Sequence, residues 1–216
     1  MMFWKSFAIY FGLYFMSIQP SLQPCHAFDL QEGRNFIFIR HGQTPWGPED
    51  ILKGPQDLEL NPVGRRQAEE ASQFVRNSIS ISNPIVYSST LRRAYQTAEI
   101  LAEKFSPCPY INLHEGLKER YYGDYSKATP QSLSTYIPPD AEPTNTFQNR
   151  VRKTLTEIFK QAPLDNSDLI IISHQKVFEY LTEWLTQEKL KLNQGGVCYF
   201  KFDQGKYSVQ IYECSN

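Results

Sequence analysis

Two short apolar runs, each stopped by a histidine, constrain this chain more than any other feature. At 35–39, Asn-Phe-Ile-Phe-Ile runs into Arg40-His41-Gly42. At 168–172, Asp-Leu-Ile-Ile-Ile runs into Ser173-His174. Such runs read as strands buried on both faces, the signature of a parallel sheet covered by helices. In open α/β sheets, ligands bind beyond the C-terminal ends of the strands. The chain has four histidines, and two of them fall at that place on two strands. A single histidine there is more often a cap or a core residue; two with matching neighbours point to a site.

The segments between these runs alternate. Asn61 is a plausible N-cap with Pro62 in the first turn, and the helix they open runs to about 77 with Ala68, Ala71, Phe74 and Val75 on one face. A second strand is expected at 84–87. A helix is expected to open at Thr90, with Leu91, Ala94, Tyr95, Ala98 and Leu101 at helical spacing. A third strand is expected at 110–113, and helices at 147–161 and 177–185. Strands at 196–202 and 206–214 flank Asp203-Gln204-Gly205, a hairpin turn. Segment 43–59 holds three prolines and two glycines and reads as a loop, and 116–143 is irregular and rich in Tyr and Pro. The expected fold class is α/β: a three-layer α/β/α sandwich with a mostly parallel sheet and an antiparallel strand at its edge.

The first residues differ from the rest. Positions 1–27 contain one charged residue, Lys5, and an apolar run of 12 residues at 7–18. About 20 residues are needed to span a bilayer as a helix, and Pro20 and Pro24 interrupt any continuation. A basic start, a short apolar stretch and Ala27 read as a cleaved secretory signal. The expected organisation is a signal peptide at 1–27 and a single domain at 28–216, exported to a periplasm or secreted. Three cysteines then remain, Cys108, Cys198 and Cys214, so at most one pair forms. Cys198 and Cys214 lie on neighbouring expected strands. No cysteine or histidine spacing suggests a zinc site, and no metal or other cofactor is expected. Lys plus Arg number 22 against 23 Asp plus Glu, which gives no reason to expect nucleic acid or an anionic membrane as partner.

Arg93 adds a third element to the histidine pair. It lies early in the helix after Tyr87-Ser88-Ser89, so a guanidinium and a helix N-terminus meet at the same sheet edge. Both suit phosphate oxygens. Its neighbour Arg92 reads as a solvated face.

These blocks together resemble the histidine phosphatase superfamily, in the branch that includes cofactor-dependent phosphoglycerate mutase. The resemblance runs in order through Phe-Ile-Arg-His-Gly-Gln-Thr (38–44), 54–62, Gly-Arg-Arg-Gln-Ala (64–68), Tyr-Ser-Ser-Thr-Leu-Arg-Arg-Ala-Tyr-Gln-Thr-Ala (87–98), Leu-Lys-Glu-Arg-Tyr-Tyr-Gly (117–123) and Ile-Ser-His (172–174). It implies the phosphoglycerate mutase-like fold and a metal-independent phosphomonoester hydrolase. It also implies roles: His41 as the nucleophile that accepts the phosphoryl group, Arg40, Arg93 and His174 as holders of its oxygens, and Glu119 as proton donor and later base. The expected partner is a small phosphate ester or a phosphoprotein. The competing readings are a mutase-type phosphotransferase and a phosphate-ligand binding module without catalysis. Neighbouring arginines would keep His41 neutral, and partial burial beside Tyr121-Tyr122 would raise the Glu119 pKa. Two positions depart from the family pattern: Gly47 where many relatives carry Asn, and Gln175 where a glycine usually follows the second histidine. Trp46, Tyr121, Tyr122, Tyr125 and Tyr136 are candidates for an aromatic entrance.

Overall fold

The computed structural model describes residues 33–45, 57–79, 81, 83–124, 135–162 and 168–213. In chain order the elements are β1 (Phe36–Arg40), α1 (Pro62–Ser78), β2 (Pro84–Ser89), α2 (Arg92–Ala102), β3 (Ile111–His114), a single 3-10 turn (Glu115–Leu117), α3 (Thr144–Gln161), β4 (Asp168–Ser173), α4 (Gln175–Thr186), β5 (Val197–Asp203) and β6 (Lys206–Tyr212). The six strands form one sheet in the order β3-β2-β4-β1-β5-β6. The first four are mutually parallel, β5 is antiparallel to β1, and β6 is antiparallel to β5. This is the expected mostly parallel sheet, with the antiparallel hairpin at one edge.

The continuous apolar runs are explained by two-sided burial. Successive strand side chains point to opposite faces. Phe36, Phe38, Leu169 and Ile171 therefore face one layer, with Val151, Leu155 and Ile158 of α3 and Phe178 and Leu181 of α4. Ile37, Ile39, Ile170 and Ile172 face the other, with Ala71 and Val75 of α1 and Ala94, Ala98 and Leu101 of α2. Each such fully buried side chain contributes roughly 1.5–3 kcal/mol relative to exposure. The small residues of α1 and α2 let those helices sit close to the sheet.

Asn61 caps α1 as expected, its Oδ1 accepting the Gly64 N–H at 2.8 Å, with Pro62 as the first helical residue. Helix α2 begins at Arg92 rather than Thr90. The reason is a cap from a distant loop: Asp57 Oδ1 accepts the Arg92 N–H at 2.8 Å. Helix α4 begins at Gln175, two residues earlier than expected, so His174 occupies its N-cap position. Strand β6 ends at Tyr212; Cys214 lies outside the described residues, as do residues 1–27. Cys198 is buried in the core, its thiol pushed up to about 12 by burial, and stands opposite Ile211 in the β5–β6 register. Among the described residues, no helix is long and apolar enough to cross a membrane.

Candidate active site

Register brings the two histidines together. Arg40 of β1 pairs with Ser173 of β4, so His41 and His174 each stand one residue past the end of adjacent parallel strands. Their ring centroids are 5.0 Å apart, and both rings are buried. Strand β2 ends beside them at Ser89, whose Oγ lies 2.8 Å from His174 Nε2. The second residue of α2, Arg93, donates its Nε–H to His41 Nε2 at 3.2 Å. Four separate elements thus converge on one spot.

The hydrogen bonds assign the His41 tautomer. A carbonyl oxygen only accepts, and Gly42 O lies 2.7 Å from His41 Nδ1, so Nδ1 carries the proton. Nε2 then presents its lone pair, which the Arg93 bond confirms. Burial, and then the Arg93 charge, hold the His41 imidazolium far below its ordinary range, against a smaller opposing pull from the Gly42 carbonyl. The arginines expected to keep the ring neutral do contribute, but burial is the larger cause. His174 is held neutral by the same two influences, with smaller ones from His41, Arg40 and Arg150.

Arg40 is anchored by one end of its guanidinium. Its Nη1 donates to Leu192 O at 2.7 Å and to Gln175 Oε1 at 3.2 Å. Among the described residues, its Nε and the Nδ1 of His174 are buried without a protein partner. Gln175, the departure from the family pattern, is therefore a support for Arg40. Its Nε2 in turn donates to the buried Glu179 carboxylate at 3.0 Å, and Glu179 accepts from Lys176 Nζ at 2.8 Å.

Glu119 lies across the first turn of α4. Its carboxylate accepts the backbone N–H of Lys176, at 3.1 and 3.2 Å to the two oxygens, and the N–H of Arg120 at 2.9 Å. Burial raises its pKa; the two amides, Arg93 and Arg40 pull the other way without prevailing. Tyr121 and Tyr122 are themselves exposed. Tyr136 is half-buried, whereas Trp46, Gly47 and Tyr125 lie outside the described residues.

At the α2 N-terminus, several of the amides expected to face a phosphate are taken within the protein. The Leu91 N–H is taken by Ser89 Oγ at 3.3 Å, and the Arg92 N–H by Asp57. The guanidinium of Arg93 is the group of α2 that bonds to His41. Arg92 points away and pairs with Glu59, both half-exposed.

Several supporting residues escape notice in the sequence. Gly42 and Gly64 meet backbone to backbone: a Cβ on Gly42 would collide with the Gly64 carbonyl, and one on Gly64 with the Gln43 carbonyl. That contact seats the loop after β1 on the first turn of α1. Gln67 Oε1 accepts the Gln43 N–H at 2.9 Å, and Thr97 Oγ1 accepts the Gly42 N–H at 3.3 Å. Gln67, Ser89 and Thr97 sit inside the motif blocks, Gln67 and Thr97 as buried polar residues on the apolar faces of α1 and α2 and Ser89 as a buried polar residue at the end of β2. Among the described residues, no three His, Cys, Asp or Glu side chains cluster as metal ligands would.

The model of the histidine phosphatase superfamily (branch 1) matches residues 36–215. The chain belongs to this family. The match takes in every motif block and all six strands. Among curated relatives, the phosphoglycerate mutase-like protein 4 of Arabidopsis thaliana is 28% identical over 196 residues, covering 82% of this chain and 83% of its own length. A broad-specificity phosphatase of Saccharomyces cerevisiae is 29% identical over 170 residues, covering 72% and 71%. Among solved structures, a phosphoserine phosphatase of Entamoeba histolytica bound to 3-phosphoglyceric acid superposes with a TM-score of 0.64 at 22% identity, covering 84% of this chain and 98% of that one. At that identity the likeness speaks for the fold. Members of this family include phosphatases and phosphoglycerate mutases.

Proposed function

We infer that the chain is a phosphomonoester hydrolase that forms a phosphoenzyme on His41. One observation carries the reading: among the described residues, two nitrogens near His41 are buried with no protein partner, Arg40 Nε on the preceding residue and Nδ1 of His174, whose ring centroid lies 5.0 Å from that of His41. Buried donors are nearly always satisfied, so an unpaired pair near His41 supports an anion between them. If Ser89 gives its hydroxyl proton to His174 Nε2, the imidazole proton sits on Nδ1 and both unpaired nitrogens are donors.

In this reading, an incoming phosphate oxygen takes the Arg93 Nε–H from His41 and frees the ring's lone pair. Nε2 attacks phosphorus; the N–P bond forms as the P–O bond to the leaving alcohol breaks. Arg40, Arg93 and His174 hold the non-bridging oxygens, where charge develops. Glu119, protonated, gives its proton to the departing oxygen. It then takes a proton from water as water attacks phosphorus and the N–P bond breaks. Inorganic phosphate leaves, and His41 returns to its Nδ1–H form, with Nδ1 bonded to Gly42 throughout.

The test is direct. Replacing His41 with Ala should abolish phosphate release from an aryl phosphate, and a rapid quench should trap acid-labile phosphate on His41 in the native chain. Undiminished turnover by the variant overturns the reading. Transfer of the trapped phosphate to an alcohol in preference to water would instead favour a mutase. Phosphate binding without turnover would favour a binding module. The proposal includes export, with 1–27 as a cleaved signal. A mature chain whose N-terminal residue is Phe28 would support that part.

A further inference from the structure

The segment that carries Glu119 is held by contacts outside the reacting groups. Three consecutive carbonyls precede Glu119, and each has a side-chain donor. Arg150 Nη1 donates to Gly116 O at 2.9 Å and to Lys118 O at 3.0 Å. Ser173 Oγ donates to Leu117 O at 2.6 Å. On the other side of Glu119, the Arg120 side chain and the Tyr121 main chain are fastened to Glu142. Arg120 Nε donates to Glu142 O at 3.2 Å, Tyr121 N–H to Glu142 Oε2 at 3.3 Å, and Glu142 N–H to Tyr121 O at 2.9 Å. Arg150 and Glu142 are themselves joined by a two-pronged ion pair, Nε to Oε1 at 2.8 Å and Nη2 to Oε2 at 2.7 Å. Both side chains are largely buried. The guanidinium also lies 5.2 Å from the ring centroid of Phe147, itself buried on α3.

We propose that Arg150 and Glu142 are positioning residues for Glu119, fixing the chain on both sides of it so that its carboxyl meets the leaving-group oxygen. This rests on the reading of Glu119 as the proton donor. Local bonds also brace this stretch, Gly116 N–H to His114 Nδ1 at 3.0 Å and Lys118 N–H to Glu115 O at 3.1 Å, but Arg150 and Glu142 tie it to α3 and to the segment before α3 on both sides of Glu119. A buried ion pair adds little net stability compared with apolar packing, because desolvation offsets the attraction. What a two-pronged pair does supply is direction, and a misplaced proton donor is costly to rate.

The experiment compares kcat/KM for two esters, an alkyl phosphate and an aryl phosphate with an acidic phenol as leaving group. kcat/KM reports the step in which the leaving group departs, whatever limits the second step. The alkyl ester needs a proton donor; the aryl ester does not. Glu119→Gln serves as the reference. Arg150→Lys and Glu142→Gln should each lose about 10- to 100-fold on the alkyl ester and little on the aryl ester, with the affinity for inorganic phosphate unchanged. Either variant that folds suffices. Equal loss on both esters, or no loss on either, overturns the proposal while Glu119→Gln still discriminates between the esters. If Glu119→Gln itself treats the two esters alike, the assignment of Glu119 fails and the proposal fails with it.

Discussion

Arg93 donates its Nε–H to the Nε2 of His41 at 3.2 Å, from a helix whose first turn is capped by a third segment. The bond does two things in the free protein. It aligns the imidazole with its lone pair toward the phosphate position, and it places a positive charge where the non-bridging oxygens would sit. Replacing Arg93 with Lys keeps charge but loses the planar fork. kcat/KM for an aryl phosphate should fall about 10²- to 10³-fold, the usual cost of one donor to developing charge. Steady-state kinetics with that substrate measure it.

Gln175 predicts a smaller and more specific effect. Its Oε1 supports the Arg40 guanidinium together with Leu192 O, and also accepts the Leu192 N–H at 3.2 Å. Gln175→Gly removes the side-chain support and leaves the carbonyl. Affinity for inorganic phosphate, measured by competitive inhibition, should weaken about tenfold, equivalent to one charge-assisted hydrogen bond of about 1.5 kcal/mol. An unchanged inhibition constant would show that Leu192 alone fixes Arg40.

Glu119 sets a basic limb. Burial raises its pKa, so the acid form persists above the ordinary carboxylate range and is lost as pH rises through the raised value. kcat/KM for an alkyl phosphate should fall on that side, while the aryl ester, ionising over the same range, serves as the control. The sign for stability follows. Between the ordinary and raised values, the folded state holds more proton than the unfolded state, so the Glu119 contribution is present at low pH and lost as pH rises. Glu119→Gln should therefore be more stable than the native chain in urea at neutral pH, and the gap should close below pH of about 4.

His41 and His174 act in the opposite direction. Both are held neutral in the fold, so the unfolded chain binds more proton below the ordinary histidine value. Unfolding free energy should fall as pH drops below about 6.5. Urea melts at several pH values measure it; His174→Asn should flatten the dependence.

Asn61 joins α1 to the loop after β1. Besides capping the helix, its Nδ2 donates to Gln43 Oε1 at 2.9 Å. Asn61→Ala should destabilise the fold by about 1–2 kcal/mol, and Asn61→Asp, which keeps the cap and loses the Nδ2 donor, by less. Denaturant midpoints distinguish the two.

Local order in the chain was enough to read the strands, the helices and their alternation, because periodicity and caps such as Asn61-Pro62 depend on near neighbours. It was also enough to place His41 and His174 beyond the C-terminal ends of two strands, since a strand end is a local event. The motif blocks then pointed to Arg40, Arg93 and Glu119. Contacts between distant segments decided the rest. The start of α2 is set by Asp57, 35 positions away. The His41 tautomer is set jointly by Gly42 and Arg93. Gln175, legible only as a departure from a pattern, becomes a support for Arg40 once α4 packs beside β1. The hold of Arg150 and Glu142 on the Glu119 segment had no local signal at all. Hydrogen bonds of this kind are chosen by which buried groups remain unpaired after packing, and that is known only when the helices lie on the sheet.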